Sequence, residues 1–420
     1  MFKRLTIIFG LFVLALPAVA SAAEVPADTT SPRTLAEYLA RARLHNPTLK
    51  GADAEARASR ERVGVAKGLS DPTLLYGYYI DADEEMEGRS EITLMQELPF
   101  FGKRGMRGDV AARMADADTN RADAMALDVE WMVRVDFYEL VRTVEVARVL
   151  NREREVLERM SELARARYSS GTGEQFELLK LEVEIAEVDD QRSMNKHERD
   201  MVTARLNELI GREGMSLSPP QWEVPAHPNE HSDSMLASAL VTRPEMAAAL
   251  RGVEAAEASR RLAKREYIPD FVFGVKYEFG GGEDHFGNEM GDSWELMAGI
   301  NLPIWLGKRR AMSREAEAMH ESALHGVDAA RLRIARDVEE AEHGVLSAHE
   351  RLVRFETEIL PRAEQAMESA ESAYRAGRAD FLSFLDSQRT LLAMRKQYYG
   401  VVADMGAQVA ALDRALGRRE

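Results

Sequence analysis

Apolar and polar residues follow two different periods along this chain. Aromatic and branched residues crowd into Leu74-Leu75-Tyr76-Gly77-Tyr78-Tyr79 and again into Phe271-Val272-Phe273-Gly274-Val275-Lys276-Tyr277. Each run is bounded by Pro, Gly and Asp, the usual signature of a strand. A polar, acidic stretch follows each run, 81–90 and 280–293, and then a second strand-like run. The pattern predicts strands at about 73–81 and 91–98 in the first half, and at about 270–279 and 294–302 in the second. Elsewhere apolar residues recur at steps of three and four. Long helices are predicted from about 103 to 168 and from about 308 to 374, each about 100 Å long at 1.5 Å per residue. The second carries a heptad seam, Leu324, Val327, Ile334, Val338, Ala341, Val345, Ala348, Leu352, Phe355 and Ile359, broken only by Arg331. The first is clearest at Val146, Leu150, Leu157, Met160 and Ala164. Met194, Met201 and Met405 fall at core-like helical spacings, where methionine ordinarily fills gaps.

The pattern is written twice. Asn46-Pro47 and Asp71-Pro72 recur as Arg243-Pro244 and Ile268-Pro269, both at a shift of 197 (244 − 47 and 269 − 72). Tyr168-Ser169-Ser170-Gly171 recurs as Tyr374-Arg375-Ala376-Gly377, at a shift of 206 (374 − 168). Glycine at these turns can take the left-handed conformation that ends a helix and reverses the chain. Return helices are then expected at about 172–211 and 378–417. In the first, polar Arg192, Asn195 and Arg199 occupy the middle slots of an otherwise apolar seam. The order is helix, two strands, long helix and return helix, once in 23–211 and once in 234–420. A Pro-rich connector, 212–233, joins the halves.

The amino terminus changes the compartment. Lys3 and Arg4 precede an apolar run from Leu5 to Val19, and Ala20-Ser21-Ala22 supplies small residues for cleavage. Residues 1–22 read as a secretory signal peptide. No later stretch has the roughly 20 consecutive apolar residues of a membrane helix. Entry into a membrane would then use strands, which points to an outer membrane. The net charge of −16 argues against nucleic acid as a partner and favours cations. The chain has no cysteine, so it has neither a disulfide nor a thiol for a lipid anchor.

Four membrane strands cannot close a barrel, and an open edge leaves backbone groups unpaired in lipid. Three copies would supply twelve strands. The expected fold is mainly α with a small membrane β part: a homotrimeric 12-stranded barrel continuous with a periplasmic helical barrel.

Two related phrases follow the strand pairs: Leu98-Pro99-Phe100-Phe101-Gly102-Lys103-Arg104, and Leu302-Pro303-Ile304-Trp305-Leu306-Gly307-Lys308-Arg309-Arg310. Their prolines and glycines break strands, and their aromatics suit a membrane–water boundary. The basic residues open a helix, where the helix dipole does not favour them. They are expected to meet phosphate headgroups or neighbouring carboxylates. The order of elements, the two Tyr-x-x-Gly turns and these phrases resemble the TolC family of outer-membrane efflux proteins, from about Leu35 to Gly417. The phrases are similar to its heavy-metal efflux branch, the CusC/CzcC type. Several members of that branch carry an N-terminal lipid-anchoring cysteine, and this chain departs from them there.

The resemblance implies a passive exit duct, in outer-membrane lipid, for an inner-membrane pump of the resistance-nodulation-division type, joined through a periplasmic adaptor. It implies heavy-metal cations as cargo; drug efflux and type I secretion are the alternatives within the family. It assigns adaptor contact to the hairpin tips, Tyr168, Gly171, Thr172, Tyr374, Gly377 and Arg378. It assigns a periplasmic constriction to Asp386, with Asp380 competing and Ser383 standing where another acid is common. It places Pro99, Phe100, Phe101, Gly102, Lys103, Pro303, Trp305, Gly307 and Lys308 at the membrane interface.

Other residues carry less. His227 and His231 are spaced i, i+4, but Pro228 lies between them. His320, His325, His343 and His349 do not share one helical face. The acidic stretches 81–90 and 280–293 suit solubility at a cell surface. No phosphate loop, nucleophile elbow or paired acid and base with a pocket is present, so no enzyme, cofactor or resident metal is expected. The rival from another class is a structural coiled-coil protein of the envelope.

Overall fold

A computed structural model describes residues 32–79, 89–214, 216–226, 232–280, 291–376 and 378–419. The signal peptide, the His227/His231 pair, Gly377 and most of both acidic stretches lie outside the described residues. Helices α1 (Leu35–His45) and α2 (Pro47–Lys67) lead into strands β1 (Thr73–Tyr78) and β2 (Arg89–Leu98). Helices α3 (Lys103–Ser169) and α4 (Gln175–Leu209) follow. The second set is α5 (Ser232–Thr242), α6 (Pro244–Arg265), β3 (Phe271–Gly280), β4 (Ser293–Ile300), α7 (Leu306–Arg354), α8 (Leu360–Arg375) and α9 (Phe381–Leu416).

The breaks between helices have local causes. Thr34 and Glu37 form a capping box at the start of α1. Asn46 ends α1 and caps α2, accepting from the Leu49 N–H at 3.0 Å, while Pro47 sits where no helical N–H is needed. Pro244 stands in the same place in α6. The expected single helix over 308–374 is interrupted by one π-turn, Phe355–Ile359, between α7 and α8. Pro361 explains it: the residue lacks an N–H and its ring would meet the carbonyl four residues back, so the helix widens ahead of it. That signal was present in the sequence.

At 67 residues α3 runs about 100 Å, and it organises the molecule. Along one half it packs against α2 and α6, with α6 in turn against α7; along the other it packs against α4 and α9, with α9 against α7 and α8. Each half is therefore a layer four helices wide. Ile334, Val338, Ala341, Val345, Ala348, Leu352 and Phe355 are buried as the heptad requires. Leu324 is exposed, and small residues Ala316 and Ala330 are buried instead, where α6 presents Ala248, Ala255 and Ala258. Alanine from both helices, rather than leucine, lines this contact. Met194 and Met201 are also exposed, unlike buried Met405, because Asn195 and Val202 beside them take the core positions of α4.

Helices α1 and α5 cover the layer at mid-height. Tyr38, Leu39 and Ala42 join Val133, Phe137, Leu140 and Leu206 in one core; Met235 and Ala239 join Val338, Val402, Met405 and Leu412 in another. Trp222 of the connector packs against both and donates its indole N–H to Glu145 at 3.0 Å. The two return helices end alike. Gly211 (φ +67°) closes against the His45 carbonyl, and Gly417 (φ +69°) closes against Thr242 and Arg243. A Cβ on Gly211 would overlap that carbonyl and strain a left-handed backbone. Gly211→Ala is expected to destabilise the protein by more than about 1 kcal/mol, read as a lower melting temperature by circular dichroism. Gly400→Ala, in open space within α9, should not.

The four strands form one antiparallel sheet in the order β1-β2-β3-β4. The two strand pairs are thus joined through β2 and β3, whose ladder runs from Arg89↔Gly280 to Leu98↔Phe271.

Candidate functional site

Strand register sorts every side chain of the sheet onto one of two faces, because antiparallel partners point the same way. One face carries Leu74, Tyr76 and Tyr78, then Ile92, Leu94 and Leu98, then Phe271, Phe273, Val275, Tyr277 and Phe279, then Trp294, Leu296 and Ile300. Only Ser90 and Gln96 interrupt it with polar groups. This face is open: Leu296 is 83% exposed and Trp294 71%. Aromatics gather at its two ends. Tyr277 and Trp294 lie 4.6 Å apart, ring centre to ring centre, near one end, and Phe100 stacks on Phe271 at 5.9 Å at the other. Phe101, Ile304 and Trp305 continue the second end as exposed side chains.

The opposite face is mostly polar and charged, with Leu75, Met95, Val272 and Met297 as its apolar members. Arg89 pairs with Glu278 at 3.0 Å, and Lys276 pairs with Glu278 and Glu295, each at 2.7 Å. Tyr79 donates its hydroxyl to Glu91 at 2.9 Å. An exposed apolar face ended by aromatics, backed by a largely charged face, is the arrangement of a membrane strand and differs from that of a soluble sheet.

Where the sheet meets the helices, Lys103 is fully buried, at 0% exposure. Its ammonium donates to the Ile268 carbonyl at 2.6 Å and to Asp270 Oδ1 at 2.8 Å, and lies 3.4 Å from Glu266. Asp270 also accepts the Phe100 N–H at 2.7 Å. Burial pushes the Asp270 carboxyl up, but Lys103 and the Phe100 N–H outweigh it and hold the group below the usual carboxylate range. Of the two partners the sequence allowed for the basic residues, Lys103 takes carboxylates and cannot reach a headgroup. In the second phrase Lys308 is exposed. Its neighbour Arg309 makes the matching contact, to the carbonyl and carboxylate of Glu266. Sequence reasoning named neither Asp270 nor Glu266, because nothing near them in the chain marks them as partners of a residue over 160 positions away. Gly102 has φ +88°, and Pro99 and Pro303 are half-buried. Gly307 is exposed in the first turn of α7.

At the far end, the turns after α3 and α8 are not equivalent. Gly171 (φ +76°) reverses the first, with the Thr172 N–H and hydroxyl both donating to the Arg167 carbonyl, and Tyr168 points outward. Tyr374 turns inward. Its ring stacks on Phe384 at 5.3 Å, its hydroxyl accepts from Arg167 at 3.1 Å and donates to Glu177 at 3.3 Å, and burial raises its pKa. The second tip is thereby tied to the first hairpin. Arg378 is exposed, its N–H bonded to the Ala373 carbonyl.

Asp380 caps α9, accepting the Ser383 N–H at 2.7 Å, and Ser383 holds its carboxyl below the usual range. Its position therefore has a local structural reason. Asp386 lies more than a turn further along, is exposed and has no such bond. Among the described residues no three His, Asp or Glu side chains converge as a metal site, and no helix is long and apolar enough to cross a membrane.

Residues 235–418 match the family described as outer membrane efflux protein. The chain is 22% identical over 397 residues to the cobalt-zinc-cadmium resistance protein CzcC of Cupriavidus metallidurans, covering 94% of this chain and 92% of that protein. It is 25% identical over 339 residues to the pyoverdine export outer membrane protein OpmQ of Pseudomonas putida, covering 78% and 70%. Among solved structures, CusC superposes with a TM-score of 0.78 at 15% identity over 92% of each chain. The outer membrane channel CmeC of Campylobacter jejuni superposes at 0.77, with 15% identity over 96% of this chain and 93% of that one.

Proposed function

We propose, for a chain whose residues 235–418 belong to the outer membrane efflux protein family, that three copies form a passive efflux duct across the outer membrane. It is a channel and not an enzyme. The observation that carries this reading is the two-faced sheet. Its apolar side suits lipid and its charged side suits water, while β1 and β4 each keep one unpaired edge. Unpaired backbone in hydrocarbon costs several kcal/mol per group, so the edges must meet other copies. The four-helix layer continues the same wall below the sheet, and twelve strands above twelve helices make a continuous tube.

In this reading the hairpin tips, Tyr168, Gly171, Thr172, Tyr374, Gly377 and Arg378, contact a periplasmic adaptor, which links the duct to an inner-membrane pump of the resistance-nodulation-division type. Phe101 and Trp305 sit at the headgroup level. Asp386 is the constriction residue, since Asp380 is engaged in capping, and three carboxylates around one axis would favour cations. Heavy-metal cations are the cargo that the likeness to CzcC favours. The likeness to OpmQ favours a second reading, export of an organic molecule. Tolerance of zinc, cobalt and cadmium in a strain lacking this chain separates them: loss of tolerance supports metal cargo, and unchanged tolerance supports the second.

The duct itself is tested by mass in detergent and by reversal potential in a salt gradient. Three protomers and a cation preference are expected, with the preference weakened in Asp386→Asn. A monomer with no ion permeation would defeat the proposal.

A further inference from the structure

The four connections between strands and helices gather at one end of the sheet, where Leu98, Phe271 and Ile300 share a rung. Residues 64–72, 97–110, 262–270 and 301–311, which make and flank them, hold nine Lys or Arg and five Asp or Glu. The segments that join the strands at the opposite end, 79–88 and 281–292, hold nine Asp or Glu and no Lys or Arg. A chain of net charge −16 thus keeps a basic belt at one level.

Two of the belt's carboxylates are consumed within it. Asp270 is taken by Lys103, and Glu266 by Lys103, Arg107 and Arg309. Exposed cations remain at every connection: Lys67 before β1, Arg104 after β2, Lys264 before β3, and Lys308 and Arg310 after β4. None of the five has an ion pair among the described residues, and Arg104 bonds only the Lys67 carbonyl, its Nε at 2.9 Å. Like charges held at one level repel each other unless a counter-charge is supplied. Apolar surface adjoins them, since Phe101, Leu302, Ile304 and Trp305 are all exposed. Free phosphate would answer the charges and leave that surface in water. A zwitterionic lipid would cover the surface, but its own ammonium competes with the lysines. We infer that this belt selects anionic glycerophospholipids, whose headgroup has a phosphate and no ammonium, in the leaflet on the helix side of the sheet. The inference rests on reading the sheet as membrane-embedded, and it names the class of lipid that the junction takes. Aromatic rings at such a boundary set depth, and the cations set the lipid.

Quenching of tryptophan fluorescence by brominated lipids tests this, with the full-length protein reconstituted into phosphatidylcholine vesicles. Trp305 lies in the belt and reports the lipid chains that reach it. Brominated phosphatidylcholine first establishes that lipid touches the protein at all. Brominated phosphatidylglycerol, mixed in against unbrominated phosphatidylcholine, then gives the relative affinity of the two lipids. One Lys or Arg near an anionic lipid surface contributes about fivefold, so a preference for phosphatidylglycerol of about two- to fivefold is expected as an average over all lipid positions. Lys264→Gln, Lys308→Gln and Arg310→Gln combined should bring it close to equality. Lys50→Gln, on an exposed stretch of α2, should leave it unchanged. The three substituted residues are exposed, so quenching by brominated phosphatidylcholine should persist and show that the variant still inserts. Equal affinity for the two lipids in the wild type, or an unchanged preference in the triple variant, would overturn the assignment while leaving the membrane reading intact. Quenching by neither lipid would overturn both.

Discussion

Leu296→Arg is expected to destabilise the membrane-inserted protein by about 2–4 kcal/mol, although Leu296 touches almost nothing within its own chain. The residue is 83% exposed. On a water-facing sheet such a substitution would fall within about 0.5 kcal/mol of neutral. Leu296 stands opposite Val275 near the middle of β4, and Val275 neighbours Leu94 on the same rung. If that rung faces hydrocarbon, arginine there must drag its charge into lipid. Met297→Arg provides the contrast, because Met297 points to the face that holds Lys276 and Glu295. Urea unfolding of the protein refolded into lipid vesicles reads both. A large loss for Leu296→Arg with a small one for Met297→Arg identifies the outer face. Equal small effects would mean the sheet lies in water.

The second large effect is expected at the junction of sheet and helices. Lys103→Ala should cost about 3–5 kcal/mol, because it leaves Asp270 without the cation that offsets its burial, whereas Glu266 keeps Arg107 and Arg309. The loss reflects the uncompensated Asp270 carboxylate more than the net worth of the ion pair. Acid should mimic it in the wild type. The Asp270 carboxyl is held below its ordinary value in the folded chain. Its contribution is therefore complete above the unfolded pKa of about 3.9 and is lost as pH falls through the lower folded value. Lys103→Ala removes the group that lowers that pKa, so the acid limb of its stability profile should begin at higher pH. Melting temperature against pH, for both proteins, checks the shift. Superimposable acid limbs would show that Asp270 does not depend on Lys103.

The contrast between these two sites shows what a single sequence reveals. Strands and seams were legible because their evidence is local. Phe271 to Tyr277 announces a strand by composition, and Ile334 to Phe355 announces a buried face by spacing. The internal repeat made each half a check on the other. What could not be read was partnership across the fold. The burial of Lys103 depends on Asp270, which lies 167 positions away, and a basic residue after a strand looks the same whether it meets a lipid phosphate or an aspartate. The seam failed at Leu324 for the same reason, since alanines on α6 decide which face of α7 is covered. The resemblance favoured Asp386 for the constriction, yet Asp380, a second acid beyond the same turn, competed with it. Only the backbone shows that Asp380 is engaged with Ser383. Pro361 differs in kind: it was visible in the sequence, and its effect on helix α7 follows from local sterics alone.

Tyr374 adds a structural difference between the tips. Because its hydroxyl links Arg167 and Glu177, the second hairpin is braced against the first, while Tyr168 has no corresponding bond among the described residues. Tyr374→Phe removes that link and keeps the stacking on Phe384.

The most direct test of the central claim is single-channel recording of the purified protein in a planar lipid bilayer. The account predicts discrete conductance steps from a preparation that is trimeric in detergent. A water-soluble species that never conducts would contradict it and leave a structural coiled coil of the envelope.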